Sequence, residues 1–190
     1  TVTGDEVTLD PEVEKTLSTA VASHQQDIEL LQAEAVMRAS RGDYAPAIAT
    51  MRKILEIDPK HALTLNNLAT LLAERPNQRA EALDLIARAI DVAGRNPMFL
   101  DTQGTIHLKL GDAKSAIASL EEATAGRATD ARYYLHLAAA YKLGGRDEDA
   151  RQMLSEARAF GLENFVLTGD DRDMLTSLEA SLESQGSTQE

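Results

Sequence analysis

The chain has 190 residues, of which 43% are hydrophobic, 26% charged and only 4% aromatic. Its length allows a substantial core, its richness in alanine and leucine favours helices over a β-sandwich, and no apolar run is long enough to span a membrane. Because cysteine is absent and the net charge is −12, disulfides and thiolate zinc sites are excluded, and a large interface with nucleic acid or an anionic membrane surface is disfavoured.

The N-terminal part of the chain predicts a loose end followed by a helix. Residues 1–9 show no helical period and are predicted to be flexible. Asp10 followed by Pro11 is typical of a helix start, with a capping residue before a proline in the first turn. Residues 10–27 are therefore predicted to form an N-terminal helix or an extension of the next helix. Whether residues 10–41 form one helix or two, with a break near SHQQD, stays open.

The middle of the chain repeats every 34 or 35 residues. One series marks a first helix by a pair of positions four apart, which are Leu31 and Ala35, Leu65 and Ala69, Leu100 and Gly104, and Tyr134 and Ala138. A second series marks a second helix by a small residue, which is Ala47, Ala82, Ala116 or Ala150. Each period therefore predicts two amphipathic helices joined by a short turn. The second period is one residue longer between its two marks, which places an insertion in the turn ERPNQRA.

This pattern resembles the tetratricopeptide repeat (TPR) family over residues 28–161. The resemblance rests on the period, on the small residues and on segments such as LEIDP and YYLHLAAAYKLGGRDEDARQMLSEA. It implies an all-α fold, a right-handed α-α superhelix of about four helix-turn-helix repeats, with an extra N-terminal helix and a C-terminal capping helix. The predicted repeats are 28–61, 62–96, 97–130 and 131–161. Glu34 and Arg38 depart from the family pattern where apolar residues are usual, and a covering N-terminal helix would account for them.

The C-terminal part predicts the capping helix itself, over residues 168–184. Thr168 is a suitable N-cap, and Asp170 and Asp171 are favourable near the positive end of the helix dipole. An end helix with one polar side is needed because the last unit of a repeat array would otherwise expose its apolar face. Residues 185–190 are predicted to be a flexible tail.

The tripeptide Arg41-Gly42-Asp43 matches an integrin-type adhesion signal, but the repeat explains it without a receptor. Gly42 aligns with Gly111 and Gly145 in the inter-helix turns, and Asp43 aligns with the aspartate of the turn KLGDAK. Glycine is expected where a helix ends. The tripeptide is therefore interpreted as a turn between two helices.

No arrangement in the sequence predicts catalysis, a metal site or a cofactor. None of the four histidines has partners at metal-binding spacing, and His107 and His136 are interpreted as helix residues near the seam between paired helices. The segment GDDRD lacks the ligand pattern of a calcium loop and is interpreted as helix capping. No phosphate-binding loop is present. The chain is predicted not to be an enzyme.

The TPR resemblance implies that the first helix of each repeat lines a concave face that binds extended or helical peptide segments. The predicted partner-binding residues on that face are Leu63, Asn66, Thr70, Met98, Asp101, Thr105, Lys109, Arg132, Leu135 and Lys142. Within this set Lys109, Arg132 and Lys142 form a basic group in an acidic protein, which predicts docking of an acidic side chain or a peptide carboxylate. The alternative, that three basic residues on a solvated face bind nothing, stays open.

The predicted function is a non-catalytic protein-protein interaction module, an adaptor or assembly scaffold. Two alternatives stay open: a self-associating array, so that a homo-oligomer is possible, and a regulatory segment of a larger enzyme or of a secretion or assembly complex. The second alternative is suggested by Thr1, which indicates a processed or excised chain. No nucleic acid and no membrane insertion are predicted. The sequence leaves the compartment open between the cytoplasm and, after removal of a signal peptide, the periplasm or exterior.

Overall fold

The computed structural model describes residues 11–126 and 130–186, and every regular element in these ranges is helical. The all-α fold of repeated helix pairs is therefore confirmed. None of the described helices is both long enough and apolar enough to cross a membrane. The segment 1–9 and residues 187–190, predicted to be flexible, lie outside the described residues.

The chain divides into two compact units, and the N-terminal unit ends at Val92. Its five helices, the last of which runs to the boundary, are α1 (Pro11–Ser23), α2 (Ile28–Ser40), α3 (Tyr44–Ile57), α4 (Ala62–Ala73) and α5 (Arg79–Ala93). Residues 10–41 thus contain two helices. The break has a local cause, because Asp27 caps α2 by accepting a hydrogen bond from the backbone N–H of Leu30 at 3.1 Å. The insertion predicted in ERPNQRA forms a 3₁₀ turn at Pro76–Gln78.

Glu34 and Arg38 are accommodated by a polar contact between α2 and α3. The Glu34 carboxylate is buried and pairs with Arg38 at 2.9 Å. Thr50 on α3 accepts a hydrogen bond from Arg38 at 2.7 Å and donates one to Glu34 at 3.4 Å. A buried charge that is paired and hydrogen-bonded is tolerated where an unpaired one would not be. The polar partner on α3 therefore accounts for these two departures from the family pattern.

The tripeptide Arg41-Gly42-Asp43 forms the turn between α2 and α3. Gly42 has φ +81°, a left-handed conformation that side chains other than glycine rarely adopt. Arg41 forms an ion pair with Glu14 of α1 at 2.5 Å. Both observations give the tripeptide a role within the fold.

The C-terminal unit begins at Ala93. Its five helices are α6 (Pro97–Leu110), α7 (Ala113–Thr124), α8 (Ala131–Leu143), α9 (Asp147–Ala159) and α10 (Gly169–Gly186). The capping helix predicted for 168–184 thus corresponds to α10, which extends into the predicted tail. Each predicted repeat contains one helix pair, namely α2 with α3, α4 with α5, α6 with α7, or α8 with α9.

Helix α8 lies at the centre of the C-terminal unit, in contact with α6, α7, α9 and α10. Because it is covered on so many sides, most of its residues are buried. Leu178 and Leu182 of α10 belong to the same apolar cluster as Leu135 of α8 and Leu154 of α9. Helix α10 therefore covers the apolar surface of the last helix pair, as a capping helix must.

Candidate functional site

In the N-terminal unit, the candidate face is formed by the first helices of the two repeats, α2 and α4. Leu63 on α4 is 43% exposed although it is a large apolar residue. Thr70, two turns further along α4, is also exposed, and its hydroxyl donates to the backbone carbonyl of Asn66 at 3.1 Å. Val36 on α2 adds a second exposed apolar side chain. The three predicted residues of this unit, Leu63, Asn66 and Thr70, thus all lie on α4. They include one exposed apolar side chain and two polar side chains.

Asn66 is the most unusual residue on this face, because it is only 5% exposed and its amide is incompletely paired. Its Nδ2 donates to Oδ1 of Asn67 at a long 3.4 Å, and its Oδ1 accepts no hydrogen bond from any residue that the structure describes. A buried polar atom without a partner costs about 1–3 kcal/mol. The amide oxygen is therefore an unsatisfied acceptor, which an N–H group can reach only after the Asn66 side chain turns toward solvent.

The apolar residues predicted in the C-terminal unit lie in different environments. Met98, at the start of α6, is 40% exposed and accessible to a partner. Leu135 is 0% exposed and belongs to the core, which corrects its placement on an accessible face. The reason is the coverage of α8 by α10 in addition to the other helices. Thr105 is half-buried and donates to the backbone carbonyl of Thr102 at 2.9 Å.

The three predicted basic residues each form an ion pair within the C-terminal unit. Arg132 contacts both carboxylate oxygens of Asp130, with a shortest distance of 2.6 Å. Lys142 pairs with Asp147 at 3.0 Å. Lys109 pairs with Asp170, the second residue of α10. The positive charge predicted on this face is therefore balanced locally by carboxylates of the same unit.

A second polar cluster connects three helices of the C-terminal unit through His136. One ring nitrogen, Nδ1, lies 2.7 Å from the carboxylate of Asp101 on α6, and the other, Nε2, lies 3.1 Å from the carboxylate of Asp171 on α10. All three side chains are largely buried. Since both nitrogens face carboxylates, the geometry suits an imidazolium that donates two hydrogen bonds. We call this set the Asp-His-Asp cluster.

The charges of the Asp-His-Asp cluster stabilise each other. Burial lowers the pKa of His136, but the charge of Asp101 and the hydrogen bonds to both carboxylates outweigh burial and raise this pKa to about 10. Burial raises the pKa of Asp171, but the hydrogen bond and charge of His136 outweigh it and hold this pKa well below its usual range. His107 on α6 behaves oppositely, because burial lowers its pKa and Asp112 compensates only in part.

Helix α10 places Asp171 through its own capping interaction. Asp171 donates its backbone N–H to Oγ1 of Thr168 at 3.1 Å, and its carboxylate accepts from the backbone N–H of Thr168 at 3.1 Å. This reciprocal pattern is a capping box. The prediction that Thr168 caps this helix is thus confirmed. Asp171 has two roles, because it both caps α10 and attaches it to α8.

The Asp-His-Asp cluster predicts that the free energy of unfolding depends on pH, through His136 at high pH and through Asp171 at low pH. Because the folded-state pKa of His136 lies above its ordinary value of 6.5, the imidazolium stabilises fully below pH 6.5 and loses this contribution as pH rises to about 10. Because the pKa of Asp171 is lowered from 3.8, its contribution is present above pH 3.8 and is lost as pH falls further.

Urea unfolding at several pH values measures this dependence. We expect a loss of unfolding free energy between pH 6.5 and pH 10 that is absent from the His136→Gln variant. If the unfolding free energy changed equally with pH in both proteins, His136 would not titrate in this range.

The comparisons with known proteins agree with the all-α repeat fold. A tetratricopeptide repeat family model matches residues 29–61 and 100–125, which contain α2 with α3 and α6 with α7. A TPR repeat-containing protein of Pseudomonas aeruginosa is 30% identical over 98 residues, which are 52% of this chain and 17% of that protein. Residues 29–61 and 100–125 thus match tetratricopeptide repeats. The chain spans about a sixth of the length of this curated relative.

Solved structures of other TPR-like chains share the fold. The type IV pilus biogenesis factor PilW aligns with a TM-score of 0.73 and 21% identity, covering 94% of this chain and 84% of PilW. A thermophilic TPR protein of Thermus thermophilus aligns with a TM-score of 0.70 and 20% identity, covering 87% of each chain. MamA aligns with a TM-score of 0.66 and 17% identity, covering 83% of this chain and 98% of MamA. At these identities the likeness shows the fold alone.

Sequence reasoning missed the Asp-His-Asp cluster although the sequence contains a signal for it. Asp101 and His136 are 35 residues apart, as are His136 and Asp171, and this separation matches the repeat period. Residues one period apart on successive first helices can become neighbours when those helices pack side by side. In residues 11–126 and 130–186 no group of three histidine or acidic side chains is arranged to hold a metal ion. The cluster is therefore described as an ion-pair network.

Proposed function

We propose that this TPR protein is a non-catalytic interaction module that binds a peptide segment of a partner protein on the first-helix face of its N-terminal unit. TPR proteins are in general protein-interaction scaffolds, and this proposal adds the location and the ligand class. The contact surface consists of Leu63, Asn66 and Thr70 on α4, with Val36 on α2. An extended peptide offers backbone N–H donors for the Asn66 oxygen and apolar side chains that can pack against Leu63 and Val36.

The observation that carries the proposal is the unpaired Oδ1 of Asn66. This buried amide oxygen destabilises the free protein unless a donor reaches it. Leu63 lies one turn before it on the same helix and stays 43% exposed. A peptide-binding site is expected to combine such groups: the acceptor binds a backbone N–H of the peptide, and the apolar residue packs against a neighbouring peptide side chain.

The basic residues of the C-terminal unit support this location by exclusion. Lys109, Arg132 and Lys142 each have a carboxylate partner within the chain. A peptide carboxylate would have to displace one of those partners, whereas Leu63 on α4 is 43% exposed. The acidic or carboxylate-bearing ligand predicted from these residues would therefore compete with a carboxylate of the chain itself.

Selection of peptides from a displayed random library, followed by titration calorimetry, tests the proposal. We expect Leu63→Ser to weaken the selected peptides at least about tenfold, the effect of losing an apolar anchor. Val92→Ser is the matched control, because Val92 is 46% exposed but lies on the second helix α5; we expect less than about a twofold change. Equal losses in both variants, or no selected peptides, would contradict the proposed face.

A second prediction concerns the trade-off at Asn66. Asn66→Leu removes the unpaired oxygen, so we expect the free energy of unfolding to rise by about 1 kcal/mol. The same variant removes the acceptor and should weaken the selected peptides about tenfold or more. Urea unfolding and calorimetry measure the two effects. A destabilised variant that retains its affinity would show that the amide serves the fold instead.

Self-association is an alternative that light scattering tests directly. A monomer at all concentrations would exclude a self-assembling array, whereas a defined oligomer would favour it. The remaining alternative, a regulatory segment of a larger enzyme or of a secretion or assembly complex, stays a prediction. Activity and partners of the longer curated relative cannot be transferred to a chain that spans 17% of it.

A further inference from the structure

Helix α4, which carries the proposed peptide face, begins at an unusual cap. His61 is its N-cap residue, and the ring nitrogen Nδ1 accepts a hydrogen bond from the backbone N–H of Thr64 at 3.3 Å. The other side-chain caps are the usual residue types, with aspartate on α2, α7 and α8, asparagine on α6 and threonine on α10. Among the caps that the structure describes, α4 therefore has the one whose residue type ordinarily changes charge between pH 5 and pH 8.

Protonation of His61 removes the acceptor that caps α4. A neutral imidazole has one acceptor nitrogen, whereas an imidazolium has none. The hydroxyl of Thr64, 2.8 Å from Nδ1, can adapt, because it can accept from a charged ring and donate to Oε1 of Gln32 on α2, 3.3 Å away. The backbone N–H of Thr64 can only donate, so it loses its partner. A positive charge at this end of a helix also opposes the helix dipole.

The surroundings of His61 offer no carboxylate that would hold a charged ring in place. The hydrogen bonds of its side chain within the described residues go only to Thr64. From α2 the ring meets this hydroxyl's neutral partner, Gln32. The nearby charged groups are Asp58 at the C-cap of α3, Lys60 in the turn and Arg88 on α5. Asp58 accepts from the backbone N–H of Lys60 at 3.0 Å, and Arg88 donates to the carbonyl of Pro59 at 3.2 Å, so neither is directed at the ring.

His24 is the other histidine of the N-terminal unit, and it has the opposite arrangement. It follows the last turn of α1, where its Nδ1 lies 3.2 Å from the backbone carbonyl of Ala20. A carbonyl only accepts, so this nitrogen donates, and it can donate in the neutral and in the charged ring alike. Positive charge near the C-terminal end of a helix is favourable. Protonation therefore leaves the contact of His24 intact while it breaks the cap formed by His61.

The turn that loses its cap is the one that carries the apolar contact of the peptide face. Leu63 is the second residue of α4, and Asn66 follows one turn later. We propose that protonation of His61 uncaps α4 and thereby weakens peptide binding on the first-helix face, so that the module binds at neutral pH and releases its ligand in mildly acidic solution. The binding step of this inference rests on the proposed function, whereas the state of the cap is measurable without any peptide.

Amide hydrogen exchange of the full chain, followed by nuclear magnetic resonance without peptide, tests the cap. The amide of Leu65 donates to the carbonyl of His61 at 3.0 Å and so reports opening of the first turn. We expect its exchange, corrected for the intrinsic rate, to be about fivefold faster relative to pH 7.5 when measured at pH 5.5, the effect of losing one cap. His61→Asn supplies a cap that does not titrate and should abolish this difference, whereas His24→Asn should retain it. No pH effect in the unmodified chain, or the same effect in His61→Asn, would overturn the inference.

Titration calorimetry at the same two pH values tests the binding step. The probe is a selected peptide that contains no histidine and is acetylated at its N-terminus, so that the peptide itself does not titrate. We expect at least about threefold weaker binding at pH 5.5 for the unmodified chain and for His24→Asn, and less than about 1.5-fold for His61→Asn. Equal affinities at both pH values would overturn the inference and leave the proposed function intact. Failure to select any peptide would contradict the proposed function, and with it the binding step, whatever the amide exchange shows of the cap.

Discussion

Replacing His136 with glutamine is expected to lower the free energy of unfolding by about 3–5 kcal/mol, the cost of breaking a buried charge pair. The substitution leaves Asp101 and Asp171 in a largely buried site without the positive charge that lies 2.7 Å from one and 3.1 Å from the other. Glutamine can replace one hydrogen bond but cannot balance either carboxylate. Chemical unfolding at pH 7, followed by circular dichroism, measures the loss.

His107→Gln is the matched control for this prediction. His107 lies on α6 in the same unit, but its Nδ1 has no hydrogen-bond partner among the described residues and its pKa is lowered by burial. We expect this variant to change the free energy of unfolding by less than about 1 kcal/mol. If both substitutions cost the same, the Asp-His-Asp cluster would contribute packing only, and its charges would be irrelevant to stability.

The second large effect is expected at Gly104, where α6 packs directly against Leu120 of α7. A Cβ atom added at this position would lie 2.4 Å from Cγ of Leu120, a distance at which the Leu120 side chain or one of the two helices must shift. We expect Gly104→Ala to destabilise by about 1–3 kcal/mol and Gly104→Leu by more, since overpacking of a filled contact is costly. Thermal and urea unfolding of both variants measure the series.

Gly169→Ala is the control that separates the packing clash at Gly104 from the low helix propensity of glycine. Gly169 is also helical, at the start of α10, but an added Cβ atom would meet nothing within 4 Å. Alanine is the better helix former, so we expect no loss or a gain of up to about 1 kcal/mol there. A gain at Gly104 as well would show that Leu120 moves aside and that the close approach of α6 and α7 is not required.

The sequence predicts the repeat architecture because the repeat is a local property. Small residues such as Ala47 and Gly104 recur at helical positions one period apart, and each turn carries its own breaking residues. The close contact at Gly104 follows from the same series, and the structure confirms it. Helix bounds follow within a few residues, since the Asp27 and Thr168 caps act on their own helices.

The candidate site was harder to predict, because it depends on which surfaces other helices cover. Helical phase alone places Leu135 on an open face, yet α10 and three other helices surround α8, and Leu135 is completely buried. The basic group predicts an acidic partner molecule for Lys109, but Asp170, 61 residues later in the chain, pairs with it. Neither outcome is visible from one helix at a time. The periodic spacing of Asp101, His136 and Asp171 was visible and is the signal to search for in other repeat proteins.

Two faces with different chemistry result from this arrangement. On the N-terminal unit, Leu63 and the unpaired amide of Asn66 offer an apolar contact and a buried acceptor. On the C-terminal unit, Lys109 and His136 offer positive charge that the chain itself occupies through α10. On the second face these charges are already paired within the chain, whereas on the first face Leu63 is 43% exposed. The N-terminal face is therefore where binding should be detected first.

The most direct test is a nuclear magnetic resonance titration of the isotopically labelled chain with a selected peptide. We predict that the largest chemical-shift changes occur at the backbone amides of Leu63, Asn66 and Thr70 and at the side-chain amide of Asn66, whose environment changes when its Oδ1 gains a donor. The second helix α5, including Val92, should change little. Changes centred on α5 with none on α4 would contradict the account.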